Sequence, residues 1–425
     1  MSTSPDKTRA ARDRARHGLT SGRGARVKVR ALPGGIWALG LGSMFMDVSS
    51  ELIHSLLPVF LTGVLGAAMT TVGAIEGVAE ATAAITKVFS GALSDLLGRR
   101  KPVLVLGYAL AAFTKPVFPL ATSIAAVFGA RFVDRVGKGI RGAPRDALVA
   151  EIAPAPLRGA AYGLRQALDS IGALIGPLVA VAAMAWLDDR IRSVMWIAVL
   201  PAFVAVALLA VFVREPERQP EQGEGAVPLS LRDFARLPAR YWLVVALGAV
   251  FTLARFSEAF LVLRARDVGL ALGHVPLVMI AMNAAYSSLA YPSGAAADRV
   301  SARTLLLAGL ALLVGADLVL AAAASPMPVF GGALLWGAHM ALTQGLLAKL
   351  VADTAPGELR GTAFGVFNLI SGGALLLASV IAGVLWSAFG AAAAFLAGAA
   401  FAALAALGLV AAPRRPQRRS RAVAR

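Results

Sequence analysis

The sequence predicts an all-α integral membrane protein, with twelve transmembrane helices in two pseudo-symmetric halves of six. Three observations carry this expectation. Of the 425 residues, 58% are hydrophobic and only 15% charged, with a mean hydropathy of +0.73, against about 45–50% apolar and about 25% charged in soluble domains. Apolar runs of about 20 residues, the length that crosses a bilayer, recur along the whole stretch between two polar tails. The chain also repeats itself. LVAEIAPAPLRGAAYG at 148–163 matches LVADTAPGELRGTAFG at 350–365 at ten of sixteen positions, 202 residues apart, and GALSD at 91–95 is echoed by GAAAD at 294–298. A soluble globular domain is excluded, and so is disorder, because a chain this apolar must bury its surface somewhere.

Taken in order, residues 1–34 form a basic tail with nine Lys and Arg against Asp6 and Asp13. It lacks the short apolar core of a cleaved secretory signal. The first half, 35–213, divides into runs near 36–62, 70–93, 102–121, 123–153, 159–187 and 191–213. Residues 214–239, rich in Glu, Arg, Pro and Gly, read as a linker, within which RDFARL has the composition of a short interfacial helix. The second half, 240–412, holds runs near 240–264, 273–296, 303–324, 326–353, 360–387 and 390–412, and 413–425 is a second tail with six Arg. Ala, Gly and Leu dominate these runs, as close helix packing in lipid requires.

An even number of spans places both tails on one side, and the positive-inside rule makes that side cytoplasmic. The loops agree: Arg99, Arg100 and Lys101, then Arg158, Arg214, Arg218, Arg232, Arg236, Arg299, Arg303 and Arg360 all fall on it. The tails hold 13 of the 17 excess positive charges. The high pI therefore needs no basic face on a folded domain, so no nucleic acid is expected as a partner, and the tails suit an anionic membrane surface. The expected location is the plasma (inner) membrane, with the bilayer as partner. Without cysteine, thiolate metal sites, iron–sulfur clusters and thiol nucleophiles are ruled out. No cofactor, metal site or catalytic residue is expected.

Ionisable side chains inside the spans are the candidate functional residues, because each costs several kcal/mol in hydrocarbon unless it faces protein or water. The first span carries Asp47, Glu51 and His54 at i, i+4, i+7, which is one helical stripe. The second carries Glu76, Glu80 and Lys87. In the fourth, Arg131, Arg135, Lys138 and Arg145 form another stripe, flanked by Asp134, Arg141 and Asp146. Arg165 and Asp169 lie one turn apart in the fifth, Arg255 and Glu258 occupy the seventh, and His339 and Lys349 the tenth. Two readings compete at these positions. Either Asp47 or Glu51 neutralises Arg135 or Lys138 as a structural pair, or they handle protons and substrate. Arg145 lies close enough to the cytoplasmic end to read as an anchor or gate. Gly137, Gly139, Gly142 and Pro144 are expected to interrupt the fourth helix, and Asp317 in the ninth has no evident role.

GALSDLLGRRKP at 91–102 resembles the loop signature of the major facilitator superfamily of secondary transporters, matched by Gly91, Leu93, Asp95, Gly98, Arg99 and Arg100, with Leu96 where a base usually follows the Asp. GAAADRVSAR at 294–303 resembles its second copy, keeping Gly294, Asp298, Arg299 and Arg303. The resemblance covers essentially the whole chain. It implies that helices one, four, seven and ten line a central cavity, that Asp95 and its neighbours gate the cytoplasmic side, and that Arg131 is the intramembrane Arg. Gly172, Gly176 and Pro177 partly resemble the antiporter signature, and Gly-x-x-x-Gly alone also serves plain helix packing.

The expected function is secondary active transport by alternating access. Proton-coupled efflux of a small organic molecule is the first reading, and proton-linked uptake of an organic anion the alternative. Small molecule and protons are the partners, and the chain is expected to act as a monomer. A polytopic enzyme is disfavoured. No H-E-x-x-H, G-x-S-x-G or Walker A motif occurs, and Glu51-x-x-His54 stands alone where a helical di-iron site needs two such motifs. Nothing resembles a channel's selectivity filter.

Overall fold

The computed structural model describes residues 32–97, 99–216, 236–296, 300–356 and 359–411. Residues 1–31 of the first basic tail, the whole second tail, most of the 214–239 stretch with most of its RDFARL segment, Gly98, Asp298 and Arg299, and the side chains of Gly91, Asp95, Lys349 and Arg360 lie outside the described residues.

Among the described residues there is no strand, and twelve helical spans follow one another. The first six are α1 (Gly34–Val64), α2 (Met69–Leu96), α3 (Arg100–Leu120), α4 (Ile124–Ile152), α5 (Arg158–Trp186) and α6 (Ile191–Phe212). The second six are α7 (Ala239–Leu253, resuming at Ala259–Asp267), α8 (Leu277–Ala296), α9 (Ala302–Ala322), α10 (Pro326–Thr354), α11 (Arg360–Phe389) and α12 (Ala391–Ala411). Among the described residues, eight helices are long and apolar enough to cross a membrane on composition alone. The broken α7, and α2 and α4, which hold most of the intramembrane charge, are among the remainder. Large apolar side chains such as Phe89, Phe113, Leu200, Phe212, Leu243, Phe389 and Leu407 stand exposed on the outer surface, which suits lipid and not water.

The duplication holds in three dimensions. Helices α9 and α10 begin and end 202 residues after α3 and α4. Within the first six, α1 packs on α5 and α6, and α4 on α2 and α3; within the second six, α10 packs on α8 and α9, α9 on α12 and α7 on α11. The two groups meet along α2 with α11 and α5 with α8. Small residues allow that approach: a Cβ on Gly73 would stand 2.3 Å from the Ser379 carbonyl oxygen. Across the other seam, Asn283 Nδ2 donates to the Ala173 carbonyl at 3.2 Å.

One expectation about helix continuity is corrected. Helix α4 is unbroken through Gly137, Gly139, Gly142 and Pro144. Its glycines serve packing, since a Cβ on Gly137 would lie 2.5 Å from the Gly107 carbonyl and one on Gly139 2.5 Å from Thr86 Cβ. The break falls instead in α7, at Arg255-Phe256-Ser257-Glu258. There the Ser257 amide donates to Ser379 Oγ at 3.2 Å and the Ala259 amide to Ser257 Oγ at 3.3 Å, so hydroxyls replace lost helical acceptors.

The repeat also gives Asp317 a place. Its counterpart is Lys115, buried and bonded to Asp134 Oδ1 at 2.8 Å and Ser50 Oγ at 3.0 Å. At the position equivalent to Asp134 the second half has Trp336. Asp317 is consequently left with no solvent exposure and no hydrogen-bond partner for either oxygen, packed near Phe256 and Gly398.

One apolar core, containing Phe60, Phe118, Met184, Phe260, Val275 and Trp386, joins both groups of helices at the face opposite the start of α1. At the face where α1 starts and α12 ends, called the terminal face below, the core splits in two. One part surrounds Ile36, Leu104, Leu148 and Leu209, and the other surrounds Leu237, Tyr241, Val351 and Leu359. The apolar core shared by both halves thus lies toward the opposite face, while at the terminal face each half has a cluster of its own and contact between the halves continues along α2 and α11, where a Cβ on Gly365 would lie 3.1 Å from Val88.

Gly73→Val should therefore part α2 from α11 and cost about 1–3 kcal/mol, the usual range for overpacking, read as lower thermal unfolding in detergent. Gly373→Val on α11, where a Cβ meets nothing within 4 Å, should leave unfolding unchanged.

Candidate functional site

Between the halves lies a cavity of about 510 Å³. The first half contributes Asp47 and Glu51 from α1, Glu80 and Lys87 from α2, Lys138, Arg141 and Arg145 from α4, and Asp169 from α5. The second half contributes a nearly uncharged wall: Phe251, Thr252 and Arg255 from α7, His339, Thr343 and Gln344 from α10, and Phe367, Asn368 and Ser371 from α11. A side chamber of about 210 Å³ adds His54, Arg135, Ser257 and Glu258.

Helical spacing explains the charged wall. Asp47, Glu51 and His54 share one face of α1, and Arg131, Arg135, Lys138 and Arg145 share one face of α4. The repeat shows how one-sided the arrangement is. In α10 the positions equivalent to Arg131, Asp134, Arg135, Lys138, Arg141 and Arg145 are Ala333, Trp336, Gly337, Met340, Thr343 and Leu347.

Behind the cavity, Arg131 Nη2 donates to Glu76 Oε2 at 2.8 Å, with both side chains at most 2% exposed. His54 bridges from there to the cavity. Its Nε2 lies 3.6 Å from Glu76 Oε2 and its Nδ1 3.6 Å from Glu51 Oε2, and Glu51 is 23% exposed. Ser257, at the break of α7, donates to the same Glu76 oxygen at 3.5 Å, so a carboxylate of one half touches a hydroxyl of the other. Arg135 pairs with Glu80 at 3.3 Å. Arg165 donates to Asp169 at 2.7 Å, while Arg145 donates to Ser43 Oγ at 2.6 Å and stands 3.9 Å from Asp169.

The pairing expected of Asp47 or Glu51 with Arg135 or Lys138 is not the one formed. Asp47 faces Arg141 at 4.0 Å, and Arg141 also stacks over the Tyr108 ring at 4.5 Å. Among the described residues Lys138 has no carboxylate within 4.0 Å, because its turn of α4 faces open cavity. Arg145, read as an anchor or gate, lines the cavity. His339 Nδ1 bonds the Gly309 carbonyl at 2.8 Å and stacks on Phe251. A carbonyl only accepts, so Nδ1 carries the proton and the ring fixes α10 against α9.

Gly172 and Gly176 seat α5 on the acidic helix α1, since their Cβ atoms would come within 2.6 Å of the Met44 carbonyl and 2.7 Å of the Val48 carbonyl; Pro177 is buried beside them. Of the loop residues, Arg99 precedes α3 and is exposed, Arg100 pairs with Glu151 at 2.8 Å, and Arg303 donates to the Val410 carbonyl. The backbone amides of Arg100 and Lys101 both donate to the Glu215 carboxylate, an acid at a helix N-terminus. The neutral wall was not foreseen. Thr252, Gln344 and Asn368 carry no charge to stand out in an apolar run.

The family model described as the Major Facilitator Superfamily matches residues 39–278 and 258–425. An uncharacterised MFS-type transporter of Methanocaldococcus jannaschii is 30% identical over 363 residues, covering 84% of this chain and 89% of that protein. An uncharacterised protein of Mycobacterium tuberculosis is 32% identical over 339 residues, covering 78% and 81%. Among solved structures, the nucleoside transporter NupG is similar in fold, with a TM-score of 0.76 at 12% identity, over 89% of this chain and 99% of that one.

Removing one member of a buried ion pair strands the other, at about 3–5 kcal/mol. Arg131→Met should accordingly lower the unfolding temperature and membrane yield sharply, and adding Glu76→Gln should restore most of the loss. A double-mutant cycle in detergent reads the coupling.

Proposed function

The chain belongs to the Major Facilitator Superfamily and is a secondary transporter of the membrane, and we propose that it exports a small organic molecule in exchange for protons. The observation that carries proton coupling is the Glu51–His54–Glu76 series. It leads from a carboxylate in the cavity to one fully buried against Arg131 and touching Ser257 of the other half. A proton arriving at Glu51 removes a charge from the cavity, and passing it inward loosens the attraction of Glu76 for Arg131 at the point where the halves touch. Occupancy by a proton is thereby linked to the relative position of the halves, which is the requirement for coupling.

Alternating access is supported by the cores, which close the cleft at one face and divide it at the other. The basic tails support a cytoplasmic terminal face in the plasma membrane, so the cavity in this state opens inward. Export is favoured by the Gly172, Gly176 and Pro177 resemblance to antiporters, set against the acid-bearing helix. Each chain encloses its own cavity, in keeping with a monomer as the working unit.

The test begins with the compound that wild-type protein moves in a transporter-deficient host, identified by differential accumulation across a library. In proteoliposomes, Glu51→Gln should abolish accumulation driven by a pH gradient by at least tenfold while sparing exchange of that compound down its own gradient. Full pH-driven accumulation by Glu51→Gln would remove the residue from the coupling path.

A further inference from the structure

We propose that the cavity takes a small organic anion, its charged group held between Lys138 of α4 and Arg255 at the break of α7, with its apolar body against the second half. The inference rests on reading this cavity as the substrate path. All four acids that line the main cavity have a basic group within 4.0 Å: Asp47 has Arg141 at 4.0 Å, Glu51 has His54 at 3.6 Å, Glu80 has Arg135 at 3.3 Å and Asp169 has Arg165 at 2.7 Å. Three of the lining bases, Lys87, Lys138 and Arg255, have no carboxylate within 4.0 Å among the described residues. The cavity wall lacks anions, not cations. Glu258, in the side chamber that Lys138 and Arg255 also border, has no base within 4.0 Å among the described residues; it offsets one of these three cations and leaves the excess positive.

Lys138 and Arg255 are the two unpaired bases that border both chambers, and they belong to opposite halves. An anion held by both would be contacted by each half at once. Without it the two like charges oppose closure of the cleft at the terminal face; with it the repulsion becomes attraction, so binding favours the closed arrangement over the open one. Apart from Arg255, the second-half wall is unsuited to a second charge. Phe251, Phe367, Gln344 and Asn368 offer aromatic faces and neutral amides, which fit an apolar ring or chain with at most polar substituents.

The test uses the purified full-length protein and four ligands sharing one body: benzoate, phenyl phosphate, benzamide and benzylammonium, followed by thermal shift. The expected result is stabilisation by several degrees with benzoate or phenyl phosphate and none with benzamide or benzylammonium. The stronger of the two anions identifies carboxylate or phosphate as the group recognised. Lys138→Gln and Arg255→Gln should each weaken that binding at least tenfold, and Arg255→Lys should recover part of it. Equal stabilisation by benzamide or benzylammonium, no shift with either anion, or undiminished anion binding in both Gln variants overturns the proposal. Anion binding that depends on Lys138 and Arg255 but comes without pH-driven accumulation would leave this site standing and sink proton coupling. Proton-coupled export of a cation alone would do the reverse.

Discussion

An ionised group in hydrocarbon must be compensated, and the arrangement of this protein follows from how that demand is met. Helix α4 carries more charge than a lipid-facing helix could tolerate, so it is walled in by α2 and α3, with α1 across the cavity. Its bases Arg131, Arg135, Arg141 and Arg145 face Glu76, Glu80, Asp47 and Asp169, and its acid Asp134 holds Lys115 of α3. Close packing by Gly137 and Gly139 keeps those partners in reach. Pairs this deep add little net stability, because desolvation offsets most of the attraction, yet each one is costly to break. What they supply is a fixed geometry in which Lys138 and Arg255 are left without a carboxylate within 4.0 Å among the described residues.

Duplication made the asymmetry possible. Two similar six-helix units came from one repeat, and in the second the ionisable positions of α10 hold Ala, Trp, Gly, Met, Thr and Leu. A cavity with one charged wall and one nearly uncharged wall needs its charges compensated mainly on one side. Two charged walls would need twice the compensation and would resist parting. Asp317 is a residue of the same history, an acid at the position of Lys115 whose partner position became Trp336.

Much of this was legible in the chain. Span positions followed from hydropathy because lipid leaves the backbone no other option than the helix. The stripes of α1 and α4 followed from spacing because helical periodicity fixes which side chains share a face. The partners did not follow, since they depend on which helices touch: Asp47 met Arg141 where Arg135 or Lys138 had been expected. Gly and Pro in α4 pointed to a break, but their role was contact with α2 and α3. The break that does occur, in α7, contains neither residue type. It is held by Ser379 and by Phe256 seated against Phe260, Trp336 and Phe395, contacts that no local pattern announces.

The central claim is that the shared core and the divided cores are one state of a rocking pair, biased by the charge in the cavity. Because the chain has no cysteine, spin labels can be placed freely at exposed sites. Pro154 and Pro356 mark the two halves at the terminal face, and Asp188 and Gly269 mark them at the opposite face. Pulsed dipolar distances in liposomes, recorded from neutral to acidic pH, are the most direct measurement. The account predicts a reciprocal change, with one pair drawing together as the other moves apart. Distances that stay fixed at both faces, or that lengthen together, would contradict it.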